Sequence, residues 1–431
     1  RAMIWRLLLL SAGALAQDSC PPWCAKFACD GSTWCQKGEK PAPCVHCGDG
    51  GEAKGVSCFK ESCADVGGDC CAPPQLNEAM KCTNGLHPVR LHTDCFNFKG
   101  ASYTCCGSLP TTTLSNGVEM PKVILGAGGS TWMNVDKTDL MVYNALKHGG
   151  FRAVDTANHY RNHEGVARGI RSARRDGYEG EVWLQTKVEG CGNSKDPRSP
   201  VLQGHCYEHT LARLHDDLRQ LQVDRVDLAL LHAPPCVPGA VWNQGCVGDP
   251  ADPVYPHLAQ CSHPEACEMV QQQWKALEAA YAQGKARAIG VSNYCSACLQ
   301  CLMRVATVTP HVNQIQLHAG MGSADPGGLV EYTLGLGAKI QAYRPLGQGR
   351  LMSSSTVHDI ANAHGKSPAQ VAVKWVVQQG HTAVTTTESI EHMRSNLDVF
   401  DWDLSSAEMS KLSNMAPPGQ LDNVVGELCV L

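Results

Sequence analysis

The chain has 431 residues, 43% hydrophobic and 18% charged, enough apolar material for a sizeable core and too much for a disordered polymer. Its formal net charge is −5 and no basic run occurs, which argues against nucleic acid as a main partner. Past the first residues no stretch is apolar enough to span a membrane.

From Met3 the chain reads MIWRLLLLSAGALAQDSC: one Arg, a short apolar run from Leu7, then Ala14-Leu15-Ala16. That is the layout of a secretory signal peptide, expected over residues 1–16, with entry into the secretory pathway and a secreted or lumenal destination. Fourteen of the 24 cysteines lie between Cys20 and Cys106, a density that points to disulfides made in an oxidising compartment. They predict two small modules, one over 17–49 (Cys20, Cys24, Cys29, Cys35, Cys44, Cys47) and one over 50–108 (Cys58, Cys63, Cys70, Cys71, Cys82, Cys95, Cys105, Cys106). Few aliphatic residues separate them, so bridges rather than a core would hold this region, and the pairing stays open. Cys44-Val45-His46-Cys47 has redox or zinc spacing, although plain disulfides suit so crowded a neighbourhood better. A surface ligand is a further expectation for this head.

Cysteine thins out around Leu109-Pro110-Thr111, and residues 109–431 alternate strand-length apolar runs with amphipathic helices. Asn116-Gly117 between apolar positions signals a tight hairpin. Eight short strands follow, over Lys122–Leu125, Ala153–Asp155, Val182–Thr186, Asp227–Leu231, Ala288–Val291, Val312–Gln316, Lys339–Ala342 and Ala383–Thr385. LMVYNALKHG and SPAQVAVKWVVQQG are two of the intervening helical patterns; in the second, Ser367 can cap and Pro368 suits the first turn. Eight alternations predict an α/β fold, a (β/α)8 TIM barrel preceded by a small disulfide-rich region.

Barrel chemistry sits where strands end at the C-terminal face. Those ends supply Asp155, with Tyr160 five residues on, then Lys187 and His232. Any one of them has a structural explanation, as a cap, a solvated end or a core group. Four at consecutive strand ends do not. A tyrosine near pKa 10 is a reluctant acid, and a neighbouring ammonium would bring it closer to the working range. Asp155 would hold Lys187 charged, and His232 would orient a carbonyl oxygen.

The same region resembles the aldo-keto reductase family. VDTANHYRNHEGVARGI, LQTKVEG and VDRVDLALLHAPP are similar to its Asp-and-Tyr, Lys and His segments; ARAIGVSNY, HVNQIQLH, IQAYRPLG and AVTTTESIEHMRSNLDVFDWDLS extend the match in order. The resemblance implies a catalytic set of Asp155, Tyr160, Lys187 and His232, with Tyr160 as proton donor and His159 and His232 touching a small-molecule carbonyl substrate. It implies NAD(P)H as cofactor and no metal. Ser292, Asn293 and Gln314 would hold the carboxamide and Tyr343 would stack on the nicotinamide. Gly126, Ala127, Pro345, Leu346, Thr386, Thr387, Ser389, His392 and Asn396 would complete the cofactor site. The two positions at which the family usually carries a Lys and an Arg for the 2′-phosphate are Thr386 and His392. NADPH is therefore expected with NADH left open, Glu388 being the feature that would favour the latter. Gly128 and Ala233 replace family tryptophans, so the substrate is not expected to be a small aldehyde enclosed by such rings. The family also implies a monomer.

Other signals are weaker. LGAGGST lacks the third glycine of a dinucleotide fingerprint, and Tyr143–Lys147 has a Y-x-x-x-K form by chance. Cys191, Cys206, Cys236, Cys246, Cys261 and Cys267, in long loops, would form a disulfide-braced lid or unrelated bridges and thiols. Cys295, Cys298 and Cys301 read as small buried helix residues. An active carbonyl reductase is the expected function. The alternatives are a catalytically weak, nucleotide-binding regulatory barrel whose head binds a surface partner, and redox exchange through Cys44 and Cys47.

Overall fold

The computed structural model describes residues 109–191, 205–234, 261 and 264–415, together with five short strands of the N-terminal region. The chain divides into two compact units, Arg1–Leu109 and Pro110–Leu431. Within the first, Trp34–Lys37 pairs antiparallel with Lys40–Pro43, and Cys105–Gly107 lies between Asp69–Cys70 and His87–Val89. The expected signal segment and the Cys44–Cys47 motif lie outside the described residues.

The second unit is a closed barrel of eight parallel strands in chain order: β1 Val123–Gly126, β2 Ala153–Asp155, β3 Trp183–Val188, β4 Val226–Leu231, β5 Ala286–Ser292, β6 Val312–Gln316, β7 Lys339–Tyr343 and β8 Thr382–Thr385. Their near-continuous burial is what parallel strands covered on both faces require. The expected (β/α)8 barrel is therefore the observed one. Two strands run further than their sequences suggest. Lys187, expected after the third strand, is inside β3, where it pairs with Leu230 of β4, and β5 extends to Ser292, paired with Gln314.

Beneath the site the interior is filled in layers. Leu114 and Met120, carried by a hairpin of Thr111–Thr113 against Glu119–Pro121, join Ile124, Ala153, Trp183, Leu228, Ala288 and Val312 in one buried cluster. Each fully buried aliphatic side chain contributes about 1.5–3 kcal/mol. The hairpin turns at Gly117, whose φ of +82° selects glycine. Above this apolar plug lies an amide layer. Gln185 Nε2 donates to Asp155 Oδ1 at 2.6 Å and Gln314 Nε2 to the same oxygen at 3.1 Å, while Gln341 joins both glutamines.

Around the barrel, helices α1 Val135–Asn144, α2 His163–Arg175, α3 Cys206–Leu221, α4 Pro264–Ala282 and α5 Ser296–Met303 cover the first five strands. Instead of continuing regularly, α1 widens into a π turn over Ala145–Gly149 and stops at left-handed Gly150. Further on, Ser367 and Pro368 start the Pro368–Gln378 helix with a full capping box to Gln370.

The cysteines correct one expectation. Cys191 is bonded to Cys206, but Cys261 and Cys267 are bonded to Cys298 and Cys301, not to one another. One helical turn puts Cys298 and Cys301 on one face of α5, beside the start of α4, so they are cross-links and not mere packing residues. Cys295, buried, lies in none of the described disulfides. Cys236 and Cys246 lie outside the described residues.

Candidate active site

Asp155 ends β2, Lys187 lies near the end of β3 and His232 follows β4, so neighbouring strands bring them to one rim. Tyr160 arrives on a single 3-10 turn, Asn158–Tyr160, closed by Arg161 at φ +52°. Lys187 Nζ donates to Asp155 Oδ2 at 2.7 Å, to the Thr156 carbonyl at 3.1 Å and to Tyr160 Oη at 3.2 Å. All three ammonium hydrogens are thus used at a site where the lysine is only 1% exposed. The Tyr160 and His232 rings stand edge to face, centroids 5.7 Å apart. Four residues expected at the ends of three neighbouring strands are one contact group.

Burial opposes the Lys187 charge, but Asp155 and Tyr160 outweigh it and hold its pKa above the usual lysine range. Tyr160 departs from the expectation. Burial raises its pKa, and this outweighs the lowering by Lys187, so the phenol remains protonated at neutral pH. His232, driven well below the ordinary imidazole pKa by burial and then by Lys187, is neutral. The rim therefore offers one ammonium, one protonated phenol and one neutral imidazole.

Beside them opens a cavity of about 430 Å³. Of the residues expected at the cofactor, Gly126, Ser292, Asn293, Gln314, Tyr343, Pro345, Leu346 and Thr386 line it. Ser292, Asn293 and Tyr343 form a pre-set shelf. Ser292 Oγ donates to the Gln314 carbonyl at 3.0 Å, Asn293 Nδ2 to the His232 carbonyl at 2.9 Å, and Tyr343 Oη to Asn293 Oδ1 at 2.7 Å. Asn293 sits at φ +61°, a conformation asparagine tolerates better than most residues. Part of the lining is bare backbone. A Cβ on Gly126 would lie 2.9 Å from Thr386 Oγ1, and one on Gly128 would lie 3.0 Å from Tyr160 Cζ.

Five expected cofactor residues do not line the cavity: Ala127, Thr387, Ser389, His392 and Asn396. The Ala127 amide donates to the Asp155 carbonyl, and Asn396 is buried in the Ile390–Leu397 helix. Thr387 Oγ1 accepts from the Ser389 amide, and Ser389 caps that helix by accepting from the His392 amide. Glu388 is turned onto Ser130 Oγ at 2.6 Å and Lys137 Nζ at 3.0 Å.

Other lining residues escaped sequence reasoning. Trp132, four residues past Gly128, stands on the lip with its indole donating to the His159 carbonyl at 2.9 Å, so the rim retains an aromatic wall that Gly128 does not provide. Arg344, at φ +53°, brings a guanidinium to the cavity near Tyr343. Its neighbours Tyr343 and Pro345 were the available signal. Beneath the site, buried Asp217 of α3 accepts from Asn158 Nδ2 at 2.6 Å and Thr186 Oγ1 at 3.0 Å, residues that stand two before Tyr160 and one before Lys187 in the chain.

Fold and rim together define a barrel oxidoreductase, and the chain belongs to the aldo/keto reductase family, whose profile matches residues 122–416. It is 33% identical to a glyoxal reductase of Bacillus subtilis over 306 residues, 70% of this chain and 91% of that one. It is 30% identical to an NADPH-dependent codeinone reductase of Papaver somniferum, over 71% of this chain and 89% of the relative. The crystal structure of an aldo/keto reductase from Brucella melitensis superposes with a TM-score of 0.55 at 26% identity, covering 71% of this chain and 99% of that one.

Proposed function

We propose that the barrel reduces an aldehyde or ketone to an alcohol with NADPH, Tyr160 being the proton donor and NADH an alternative cofactor. The observation that carries this reading is the Lys187 ammonium held between the Asp155 carboxylate and the Tyr160 hydroxyl. The cavity suits a nicotinamide dinucleotide: an amide shelf for the carboxamide, the Tyr343 ring as a stacking face, a side-chain-free wall at Gly126 and Gly128, and Arg344 toward anionic groups. When bound, the cofactor supplies a hydride to the carbonyl carbon. Tyr160 and neutral His232 would hydrogen-bond the carbonyl oxygen, and Tyr160 would deliver its proton as charge develops there. Lys187 would then stabilise the tyrosinate, and Asp155 keeps that ammonium in place. The name of the Papaver relative supports NADPH.

The signal-like start and the cysteine content support passage through the secretory pathway with the described disulfides oxidised, and a separate cysteine-rich head with its own surface ligand. Monomer is the proposed state. The test is dinucleotide binding by nicotinamide fluorescence, then turnover on a panel of aldehydes and ketones by wild type and Tyr160→Phe. Binding with turnover lost in the variant is expected. Tight binding without turnover on any substrate would replace this reading with that of a regulatory nucleotide-binding barrel.

A further inference from the structure

Among the described residues none of helix α3 lines the cavity, yet α3 grips both segments that carry the proton-transfer pair. Its inner face presents two buried polar side chains one turn apart, Arg213 and Asp217. Asp217 Oδ1 accepts from Asn158 Nδ2 at 2.6 Å, and Oδ2 accepts from Thr186 Oγ1 at 3.0 Å. Asn158 opens the 3-10 turn that delivers Tyr160, and Thr186 is the strand residue before Lys187. One turn earlier, Arg213 Nη2 donates to Glu189, two residues past Lys187, at 3.3 Å. The strand is thus tied to α3 on both sides of the lysine, and the tyrosine turn is tied to it through the same carboxyl.

The arrangement follows from the pleat. Side chains alternate along β3, so Lys187 points into the barrel while Thr186 points out toward the helices, where the Asp217 carboxyl meets it. The Tyr160 turn has no place in the sheet. Its amide bonds only back to the Ala157 carbonyl, so a lateral tie is needed to set its distance from β3. That distance matters: Lys187 Nζ to Tyr160 Oη is 3.2 Å, at the long end of the hydrogen-bond range. A misplacement of about 1 Å in such a pair costs on the order of 100-fold in rate.

We propose that Asp217 is a positioning residue for the reduction, setting the spacing of the Tyr160 hydroxyl and the Lys187 ammonium by holding Asn158 and Thr186 on one carboxyl. It touches no reacting atom and leaves cofactor and substrate binding alone. This role presupposes the reductase reading and assigns part of its rate to a helix outside the cavity.

The test compares the full-length wild type with Asp217→Leu and Asp217→Asn, using NADPH and a carbonyl substrate that the wild type turns over. Rates are taken per molecule that binds NADPH, counted by nicotinamide fluorescence, so that lost folding is not read as lost chemistry. Leucine keeps the volume and removes both bonds: kcat is expected to fall at least about tenfold, with the KM of the substrate and the Kd of NADPH within about twofold of wild type. Asparagine keeps both. Its oxygen accepts from Asn158, its amide donates to Thr186, and the Thr186 hydroxyl turns to His163 Nε2, 3.0 Å away. Asp217→Asn is therefore expected to restore kcat to within about twofold of wild type. Should Asp217→Leu not fold, Thr186→Val, which cuts one tie and keeps the shape, is expected to show the same loss confined to kcat. An unchanged kcat per binding molecule, with only the melting temperature lowered, would make Asp217 structural and overturn the proposal. So would an equal loss of kcat in Asp217→Asn. Either result leaves the reductase standing, whereas no turnover by the wild type on any carbonyl would remove both.

Discussion

Lys187 is the residue on which both stability and chemistry converge. Its partner Asp155 is 2% exposed, so replacing the lysine strands a buried carboxylate. Lys187→Met is expected to lose about 3–5 kcal/mol of unfolding free energy in urea titration and at least about 100-fold in turnover. Retention of full stability would mean that the amide layer of Gln185 and Gln314 alone satisfies Asp155. A second residue-scale prediction concerns Asp217 and His163 of α2, 3.9 Å apart with both side chains fully buried. That spacing suggests an ion pair, yet burial pushes Asp217 up to about 8 and His163 down to about 3, which favours two neutral groups bridged by Thr186. The neutral reading accords with the absence of a direct hydrogen bond at 3.9 Å. For Asp217, with an unfolded value of 3.8, the folded chain keeps a proton that the unfolded chain loses, so stability falls as pH rises from there to about 8. For His163 the unfolded chain takes up a proton below 6.5 that the folded chain refuses down to about 3, so stability rises with pH over that range. The two slopes oppose each other from about 4 to 6.5, and above that only Asp217 acts. Unfolding free energy is therefore expected to fall between roughly pH 6.5 and 8, and Asp217→Asn to flatten that fall; an equal slope in the variant would contradict the assignment. The four rim residues were legible in the sequence because strand ends in a barrel converge by topology. Glu189, Arg344 and Asp217 were not, because which neighbour a loop or helix side chain meets is decided only after the chain closes.

At the scale of elements, the packing of α2 on α1 depends on two glycines. A Cβ on Gly165 would strike the Val135 carbonyl and lie 2.8 Å from Thr138 Cβ, and one on Gly169 would lie 2.7 Å from the Asp139 carbonyl oxygen. Alanine gains about 1 kcal/mol in helix propensity, but the clash costs about 1–3 kcal/mol and moves the helix that follows Tyr160. Gly165→Ala and Gly169→Ala are therefore expected to lower the melting temperature. Gly335, which has nothing within 4 Å of its would-be Cβ, is the control expected to stay level or rise. If all three behave alike, propensity and not interhelical contact governs the site. Strand runs such as VDLALL were readable because both faces are buried, and so was the Ser367 cap. The ends were less so. Lys187 lies inside β3 because hydrogen-bond pairing with β4, not its own polarity, sets where the strand stops. Nothing local marked the π turn after Asn144.

For the whole molecule, the order of eight strands in the sequence is the order around the barrel, so the architecture was legible from alternation alone. The cross-links were not, since Cys261 and Cys298 meet only through the docking of α4 beside α5. Peptide mapping without reductant, on protein made in an oxidising compartment, is expected to recover Cys191–Cys206, Cys261–Cys298 and Cys267–Cys301. Cysteines 191 and 206 are 15 residues apart, a span whose closure contributes about 3 kcal/mol. Replacing both by serine should cost about that much stability, and recovery of these two as thiols in the native protein would refute the pairing. The central claim is that this rim passes a hydride to a carbonyl carbon while Tyr160 supplies the proton. The most direct measurement runs the full chain with NADPH deuterated at the transferring face and weighs the alcohol formed. An alcohol one mass unit heavier, formed by wild type and not by Tyr160→Phe, is the predicted result; cofactor that keeps its deuterium beside unreduced substrate would contradict the account.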